Sequence, residues 1–404
     1  MVDFALSPSE RATLTAAHTF ASTHLTPLHA QYSLLPSHSA RFQSLQPTYA
    51  NAVLSGLIKA QIPTPLGGTS TGLLEAALLV EELTAEEFKE FLDPFLTGEG
   101  SPLASLVFTE PGGVANWLEE GAPGLQTTAH LDPNDDSTWI LNGEKAWATN
   151  SAGWDFKGAA LQCIVCRCTN ADIPSDAAPS ARIMILMVRR EDLEKPENHG
   201  AFEVLKHQQV AGWTAVSGPH VKYTNLRVPA KNLLCAPGTG AALVQMSFEA
   251  SACLVGAMAT GIQRAIFDAA LAFSKSTRGG KVPIGHHQSV ADLLIDIKMR
   301  TETSRYLTWK AATKLHSDLP NYGNCRELAL EAKVYCSDAA VKSAVDAVNL
   351  VGVSAYDLAL PFTDLLNDAM VLPIFDGGNV GIRRRALQSL FMEEDYKPWA
   401  TCYD

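Results

Sequence analysis

The sequence has few charged residues and no excess of positive charge. Charged residues make up 18% of the 404 residues, and the formal net charge is −12. Binding to nucleic-acid phosphates depends on clustered lysine and arginine, so this balance argues against a nucleic-acid partner. A local basic run such as Arg383-Arg384-Arg385 can still bind a phosphorylated cofactor. The hydrophobic content of 47% predicts a globular chain with several compact units.

Long apolar runs and targeting signals are also missing. We find no unbroken apolar run of about 18 residues, the length that a membrane-spanning helix needs. Residues 1–4 lack the charged-then-apolar layout of a secretory signal. Residues 400–404 carry no peroxisomal or prenylation motif. We therefore expect a cytoplasmic, intracellular protein without a membrane partner.

The eight cysteines do not form the pattern of a disulfide framework or a zinc site. Cys163, Cys166 and Cys168 are closely spaced, but they lie in a strand-like run. No second cysteine or histidine pair follows at zinc-ligand spacing. We expect buried thiols and no metal site.

The sequence does contain three segments of different character. Residues 1–98 are predicted to be helical, residues 99–235 to form short strands with glycine turns, and residues 236–404 to form long helices. The predicted fold class is α+β. It has an N-terminal helical domain, a middle antiparallel β-barrel or sandwich, and a C-terminal four-helix bundle.

Local signals place the boundaries of several elements. Ser7 as N-cap, Pro8 and Glu10 predict a helix start. Further helices are expected over residues 73–83 and 84–96, the second broken near Pro94. Asn142-Gly143 is the strongest hairpin signal in the chain. Predicted strands cover residues 161–168, 183–188 and 220–228, and predicted helices cover residues 251–273, 290–316, 328–351, 361–369 and 379–394.

Asp376 lies at a glycine turn, Asp376-Gly377-Gly378, directly before a segment with helical periodicity. Asn379 is expected to cap that helix. Two interpretations are open. The turn is either an ordinary helix entry or the support of a carboxylate base that Arg383, one turn later, keeps ionised.

Several motifs together resemble the acyl-CoA dehydrogenase superfamily, and within it the nitroalkane oxidases. They are Phe108-Thr109-Glu110-Pro111, Leu141-Asn142-Gly143-Glu144-Lys145 followed by Trp147-Ala148-Thr149-Asn150, Arg278 followed by His287-Gln288-Ser289, and Phe375-Asp376-Gly377-Gly378-Asn379. Each motif alone is weak, but their order matches the family over almost the whole chain.

The resemblance implies that FAD binds between the β-domain and the bundle. Thr149 is expected at flavin N5 and Trp147 over the ring face, although Trp147 alone would suit a sheet core. In the middle domain, the residues expected at FAD are Leu106, Val107, Phe108, Thr109, Val114, Ala115, Asn116, Trp147, Ala148 and Thr149. In the C-terminal domain they are Arg278, Gln288, Asn349, Leu350, Val351, Gly352, Val353, Ile374, Phe375, Asp376, Gly377 and Gly378. Arg278 and Gln288 would reach FAD of a neighbouring subunit, which implies a homo-oligomer, commonly a tetramer.

The resemblance also implies the chemistry. Asp376 would remove the α-proton of a neutral nitroalkane, giving an aldehyde or ketone, nitrite and, with dioxygen, hydrogen peroxide. Arg383 would orient the carboxylate. Ser251 would donate a hydrogen bond to it, although an N-cap role for Ser251 is equally open. The alternatives are an acyl-CoA dehydrogenase or oxidase acting on a thioester, and a catalytically weakened flavin-binding homologue.

The chain departs from the family after Leu83, where it continues directly into Thr84 and lacks a helical segment. Loss of an internal helix is expected to expose apolar surface and open the substrate cavity to water. A smaller departure is the acidic segment at residues 131–136, which we expect to be an exposed hairpin loop.

Overall fold

The computed structural model describes residues 8–62, 64, 67–69, 85–170, 173–174, 176–317 and 322–400. The chain divides into two compact units. Unit 1 contains the described residues up to 69, then 85–210 and 214–241, and unit 2 contains 211–213 and the described residues from 242. The predicted Ser7 cap, the helix over residues 73–83 and the departure after Leu83 lie outside the described residues.

Unit 1 begins with short helices. These are α1 (Pro8–Phe20), α2 (Thr26–Tyr32), α3 (His38–Ser44), α4 (Gln46–Leu54) and α5 (Ala85–Leu96), and a π-helical turn joins α1 to α2. Helix α1 begins at Pro8, as predicted. Proline suits the first helical position because its missing N–H would have no intrahelical partner there. Helix α5 contains Pro94 and ends two residues later.

The rest of unit 1 is an eight-stranded sheet in the order β6-β7-β3-β2-β4-β5-β8, with β1 paired to β4. The strands are β1 (Ala104–Val107), β2 (Thr128–Asp132), β3 (Asp135–Lys145), β4 (Leu161–Cys168), β5 (Ile183–Arg189), β6 (Phe202–Lys206), β7 (His220–Pro229) and β8 (Leu233–Cys235). A four-residue helix, α6 (Arg190–Leu193), follows β5. Strand β5 is apolar and buried throughout except at its last residue, as expected for a strand covered on both faces.

The sheet differs from the prediction in two respects. It is mostly antiparallel, but β1 and β2 both pair parallel to β4. The prediction of a hairpin turn at Asn142-Gly143 is wrong, because both residues lie within β3 at a register shift against β7. Gly143 has φ 146°, and a Cβ there would lie 2.5 Å from the Thr127 Cα, so the position needs glycine for close strand approach. The turn between β2 and β3 is at residues 133–134, within the acidic segment predicted as a loop.

Unit 2 is helical apart from a two-stranded ribbon of β9 (Arg278–Gly279) and β10 (Val282–Pro283). Its helices are α7 (Gly240–Ser276, which starts in unit 1), α8 (Gln288–Ser317), α9 (Tyr322–Val351), α10 (Phe362–Val371) and α11 (Arg384–Phe391), with a π-helical turn over Asn379–Arg383 before α11. These bounds confirm the helices predicted for the C-terminal segment.

Helix α7 (Gly240–Ser276) is longer than the helix predicted over residues 251–273. It contains an 18-residue window with mean hydropathy 1.4, long and apolar enough to cross a membrane by composition alone. Polar residues such as Gln245, Glu249 and Gln263 interrupt the helix, so this window is not an unbroken apolar run of the kind sought in the sequence. Its residues Val255, Ala259 and Ile266 are buried in the hydrophobic cluster of unit 2, as in a core helix. A Cβ at Gly256 would lie 2.7 Å from the Thr308 hydroxyl, so the glycine lets α7 and α8 pack closely.

Candidate functional site

Asp376 lies in a strained turn between α10 and the π-helical turn that precedes α11. Its backbone adopts φ 53°, in the left-handed region that side chains other than glycine seldom occupy, and Gly377 follows with φ 78°. A Cβ on Gly377 would lie 2.8 Å from the Arg383 Nε. Glycine at this position therefore lets the guanidinium lie directly against the turn. Strain of this kind is concentrated at functional sites in proteins.

The Asp376 carboxylate is held by two side chains from different elements. Ser251 Oγ in α7 donates to Oδ1 at 2.7 Å, and Arg383 Nη2 donates to Oδ2 at 3.0 Å. Arg383 also donates from Nε to the Asp376 carbonyl at 3.0 Å and from Nη2 to the Phe248 carbonyl at 2.8 Å. The structure thus brings together the three residues predicted to be catalytic.

Ser251 is not a helix N-cap. It lies eleven residues after the first residue of α7, Gly240, so its backbone is inside the helix. Its hydroxyl is 3.1 Å from the Phe248 carbonyl oxygen and 2.7 Å from Asp376 Oδ1. The open alternative from the sequence is therefore resolved in favour of a contact with the carboxylate.

Burial dominates the electrostatics of this group. Burial raises the pKa of the Asp376 carboxyl above its usual 3.8, although Arg383, the Ser251 hydrogen bond and Lys333 all act to lower it. Burial lowers the pKa of Arg383 in turn. The side chain of Asp376 is 12% exposed and that of Arg383 is 4% exposed. A carboxylate whose proton affinity is increased in this way is suited to act as a general base.

The predicted N-cap role of Asn379 is wrong. The residue before the π-helical turn is Gly378, and the Asn379 side chain is instead buried against α9. Its amide nitrogen donates to Ser337 Oγ at 2.9 Å and to Asp338 Oδ1 at 2.8 Å. Its amide oxygen accepts a bond of 2.7 Å from Lys333 Nζ. Sequence reasoning missed Lys333, which carries no motif and lies far from the turn in the chain.

In unit 1, the segment predicted to face the flavin is fixed by a buried ion pair that the sequence analysis did not single out. Lys145 Nζ donates to Glu110 Oε1 at 3.0 Å and to the Phe108 carbonyl at 2.8 Å. Glu110 also accepts the backbone N–H groups of Gln126 and Thr127. Burial raises the pKa of Glu110, but Lys145 and these donors outweigh it and leave the pKa below 4.5. Both residues lie within motifs that resemble those of the acyl-CoA dehydrogenase superfamily, and this position was the only sign of their importance in the sequence.

Trp147 is not part of the sheet core. Its side chain is 56% exposed, whereas the neighbouring Ala146 and Ala148 are buried. Trp147 and Asn150 both have positive φ, 64° and 66°, so the chain turns sharply on either side of the exposed Thr149. A large ring displayed on a constrained backbone suits stacking against a planar ligand.

The other residues predicted to contact FAD are distributed over both units. In unit 1, Leu106 and Val107 belong to β1, Phe108 is buried, Thr109 and Val114 are half-buried, and Ala115 and Asn116 are exposed. In unit 2, Leu350 and Val351 are buried, Phe375 and Gly378 are half-buried, and the exposed members are Arg278, Gln288, Asn349, Gly352, Val353 and Ile374. Val353 is 88% exposed and Ile374 is 69% exposed, which leaves an apolar surface on unit 2.

A cavity of about 470 Å³ in unit 1 lies among other residues, including Gln43, Gln46, Trp154 and Arg190. None of its lining residues belongs to the predicted site. Its polar groups are paired with one another, as in the bond from Arg190 Nη1 to Asp155 Oδ1 of 2.9 Å. The cavity gives no indication of a ligand.

Comparison with known proteins identifies full-length relatives. Residues 238–389 match the family model described as acyl-CoA dehydrogenase, C-terminal domain. The chain is 51% identical to the nitroalkane oxidase of Podospora anserina, with 100% of this chain and 99% of the relative covered. It is 45% identical to the nitroalkane oxidase of Fusarium oxysporum, with 100% and 98% covered. The alignment with the Podospora protein runs over 428 positions, so it contains positions that this chain of 404 residues lacks.

Solved structures agree with these relatives. The Podospora anserina nitroalkane oxidase structure matches with a TM-score of 0.93, and both chains are covered completely. Structures of a nitroalkane oxidase at 44% identity match with a TM-score of 0.91. They include active-site serine and aspartate mutants crystallised with 1-nitrohexane and 1-nitrooctane. In that flavoprotein, an arginine and an aspartate studied for their roles in the reaction have the same spacing of seven positions as Asp376 and Arg383 here.

Proposed function

The chain belongs to the nitroalkane oxidases of the acyl-CoA dehydrogenase superfamily, and we propose that it oxidises neutral nitroalkanes with Asp376 as the base. It is a flavoprotein oxidoreductase. In the overall reaction, nitroalkane, dioxygen and water give an aldehyde or ketone, nitrite and hydrogen peroxide. The observation that carries the proposal is the buried Asp376 carboxylate with Ser251 and Arg383 at hydrogen-bond distance.

Each of the three side chains has a defined task. Asp376 removes the proton from the carbon next to the nitro group. The nitro group acidifies that proton, so a carboxylate whose pKa is raised by burial suffices as the base. Arg383 and Ser251 fix both carboxylate oxygens, which limits rotation of the base and aims it at one point. Arg383 also favours the ionised form of the carboxyl.

The residues present fit FAD as the cofactor. Trp147 offers an exposed ring on a constrained backbone, and the exposed Thr149 offers a hydroxyl. Leu106 and Val107 at the end of β1, and Thr109 just after it, would hold the polar edge of the ring. Lys145 fixes the segment that follows β1 through the Phe108 carbonyl and Glu110. When bound, the flavin supplies the acceptor for the substrate's electrons and the route to dioxygen.

We further propose a homo-oligomer, with a tetramer as the expected form. Arg278 and Gln288 are exposed in the single chain, and an arginine fork suits phosphate oxygens. Each would contact the diphosphate or adenosine part of FAD in a neighbouring subunit. The exposed Val353 and Ile374 support burial of this surface in an assembly.

The experiment that tests the function is an anaerobic absorbance spectrum with and without nitroethane. Purified protein should show an oxidised flavin spectrum that nitroethane bleaches, and in air it should release nitrite and consume oxygen. An acyl-CoA thioester should leave the spectrum unchanged. Bleaching by the thioester and not by nitroethane would contradict the proposal. Flavin-loaded protein that responds to neither substrate would identify a flavin-binding homologue without this turnover.

A further inference from the structure

Lys333 is a buried cation directly beneath the turn that bears the base. Its side chain lies in the middle of α9 and its exposure is 0%. Nζ donates to the Gly377 carbonyl at 3.0 Å and to Asn379 Oδ1 at 2.7 Å. Removing an ammonium group from water costs several kcal/mol, so a lysine in a helical core is stable only with close partners. Both partners here belong to the turn that follows Asp376.

The same face of α9 also binds the other end of the Asn379 amide. Ser337 and Asp338, one helical turn after Lys333, both accept from the Asn379 amide nitrogen. The turn is therefore fixed to α9 through the Gly377 carbonyl and through both ends of one buried amide. Asp376 at φ 53° is strained, and strained backbone persists only where its surroundings determine it strongly.

We propose that Lys333 is a positioning residue for proton abstraction, which fixes the Asp376–Asn379 turn against α9 and supplies a second cation that favours the ionised carboxylate. The inference rests on the proposed base role of Asp376 and extends it to a residue that does not touch the carboxylate. Arg383 acts from the side of α7, whereas Lys333 acts from the side of α9.

In the described part of the chain, Lys333 and Arg383 are surrounded by further charged side chains. Those acting on Lys333 are Arg383, Asp376 and Asp338, and those acting on Arg383 beyond this group are Glu249 and Arg326. Arg384 Nη2 pairs with Asp338 Oδ2 at 3.0 Å. Burial, with the nearby charge of Arg383, lowers the pKa of Lys333 to about 8. Lys333 is therefore charged at neutral pH, and its charge is lost as the pH rises through about 8.

The test uses three substitutions of the flavin-loaded enzyme. Lys333→Met removes the charge and the donor, Lys333→Gln removes the charge but keeps a donor, and Lys333→Arg keeps both. The control is Lys342→Met on the same helix, because Lys342 is 62% exposed and pairs with Asp346 away from the turn. The readouts are kcat/KM for nitroethane as a function of pH, the flavin content and Tm.

Without the charge, Asp376 should hold its proton more strongly. In Lys333→Met and Lys333→Gln, the acidic limb of kcat/KM should move to higher pH by about one unit. Lys333→Arg should retain the wild-type limb, and Lys342→Met should be unchanged. A wild-type acidic limb in Lys333→Met, with a loss only of folded protein, would overturn the inference and leave Lys333 a structural residue.

A second measurement does not depend on turnover. Thermal unfolding of Lys333→Met, Asp376→Asn and the double variant forms a double-mutant cycle. Coupling of Lys333 to the base turn predicts Tm losses that are not additive, and additive losses would contradict it. If the wild-type enzyme released no nitrite, the proposed function would be wrong. The cycle would still test whether Lys333 is coupled to the turn that bears Asp376.

Discussion

Two buried ion pairs in this protein have similar geometry and opposite character. In unit 1, Lys145 and Glu110 are 3.0 Å apart, and in unit 2, Arg383 and Asp376 are also 3.0 Å apart. The pKa of Glu110 is lowered, whereas the pKa of Asp376 is raised. Burial raises the pKa of both carboxyls, so the difference between them comes from the groups that surround each one.

The surroundings explain the difference. Glu110 accepts two backbone N–H groups besides Lys145, which together outweigh the cost of burial. In the described part of the chain, the side-chain oxygens of Asp376 accept from Ser251 and Arg383 alone, and its backbone is strained. A carboxylate with enough hydrogen-bond donors to lower its pKa stabilises the structure. A carboxylate whose pKa remains raised can accept a proton from a substrate. The comparison predicts separate consequences for each pair.

The largest effect is expected from Asp376→Asn. It removes the proposed base, so kcat/KM for nitroethane should fall by about 10²–10⁴-fold, the usual contribution of general-base catalysis. The flavin content should be retained, because the change leaves the shape of the turn. Steady-state nitrite release measures the loss, with the exposed Asp395→Asn as control. Wild-type turnover in Asp376→Asn would show that this carboxylate is not the base.

The counterpart is Glu110→Gln, which should act on stability. It leaves the Lys145 ammonium buried without its charge partner, and breaking a buried pair in this way costs about 3–5 kcal/mol. Denaturant unfolding should show the loss, whereas Glu120→Gln, exposed in the following loop, should show none. An unchanged free energy of unfolding would mean that the Lys145–Glu110 pair does not fix the loop.

A smaller effect is expected from Ser251→Ala. It removes one hydrogen bond to a charged group, an interaction of about 1.5 kcal/mol, so kcat/KM should fall about tenfold. The Ser251 bond acts to lower the pKa of Asp376, so the acidic limb should move to higher pH. Steady-state pH profiles test both effects, with the exposed Ser389→Ala in α11 as control. A limb that moves to lower pH would contradict this role for the serine.

The smallest effect separates the two pairs by the sign of their linkage to pH. Glu110 has a lowered pKa in the folded state, so its stabilisation is present above its unfolded pKa and is lost as the pH falls through the folded value. Asp376 has a raised pKa, so its contribution is present below its unfolded pKa and is lost as the pH rises through the folded value. The difference in unfolding free energy between wild type and Glu110→Gln should increase with pH. The difference between wild type and Asp376→Asn should decrease with pH. If both differences changed in the same direction with pH, the proposed distinction between the two ion pairs would be wrong.

The sequence predicted the helices of unit 2 and the main strands because their periodicity and length are strong local signals. Asn142-Gly143 misled the hairpin prediction, since glycine there serves close strand approach and not a turn. The pairing of Asp376 with Arg383, seven positions later, was already one of the two local interpretations. Ser251 was added only through the family resemblance, because it lies 125 positions before Asp376. Lys333 had no motif, and only the packing of α9 against the turn reveals it.

The base role of Asp376 is tested most directly by anaerobic mixing of Asp376→Asn with nitroethane and, separately, with pre-formed ethylnitronate. The nitronate has already lost the proton that Asp376 is proposed to remove. We predict that the flavin of the variant stays oxidised with nitroethane and is bleached by the nitronate. Bleaching by nitroethane at the wild-type rate, or no bleaching by the nitronate, would contradict the assignment of Asp376 as the base.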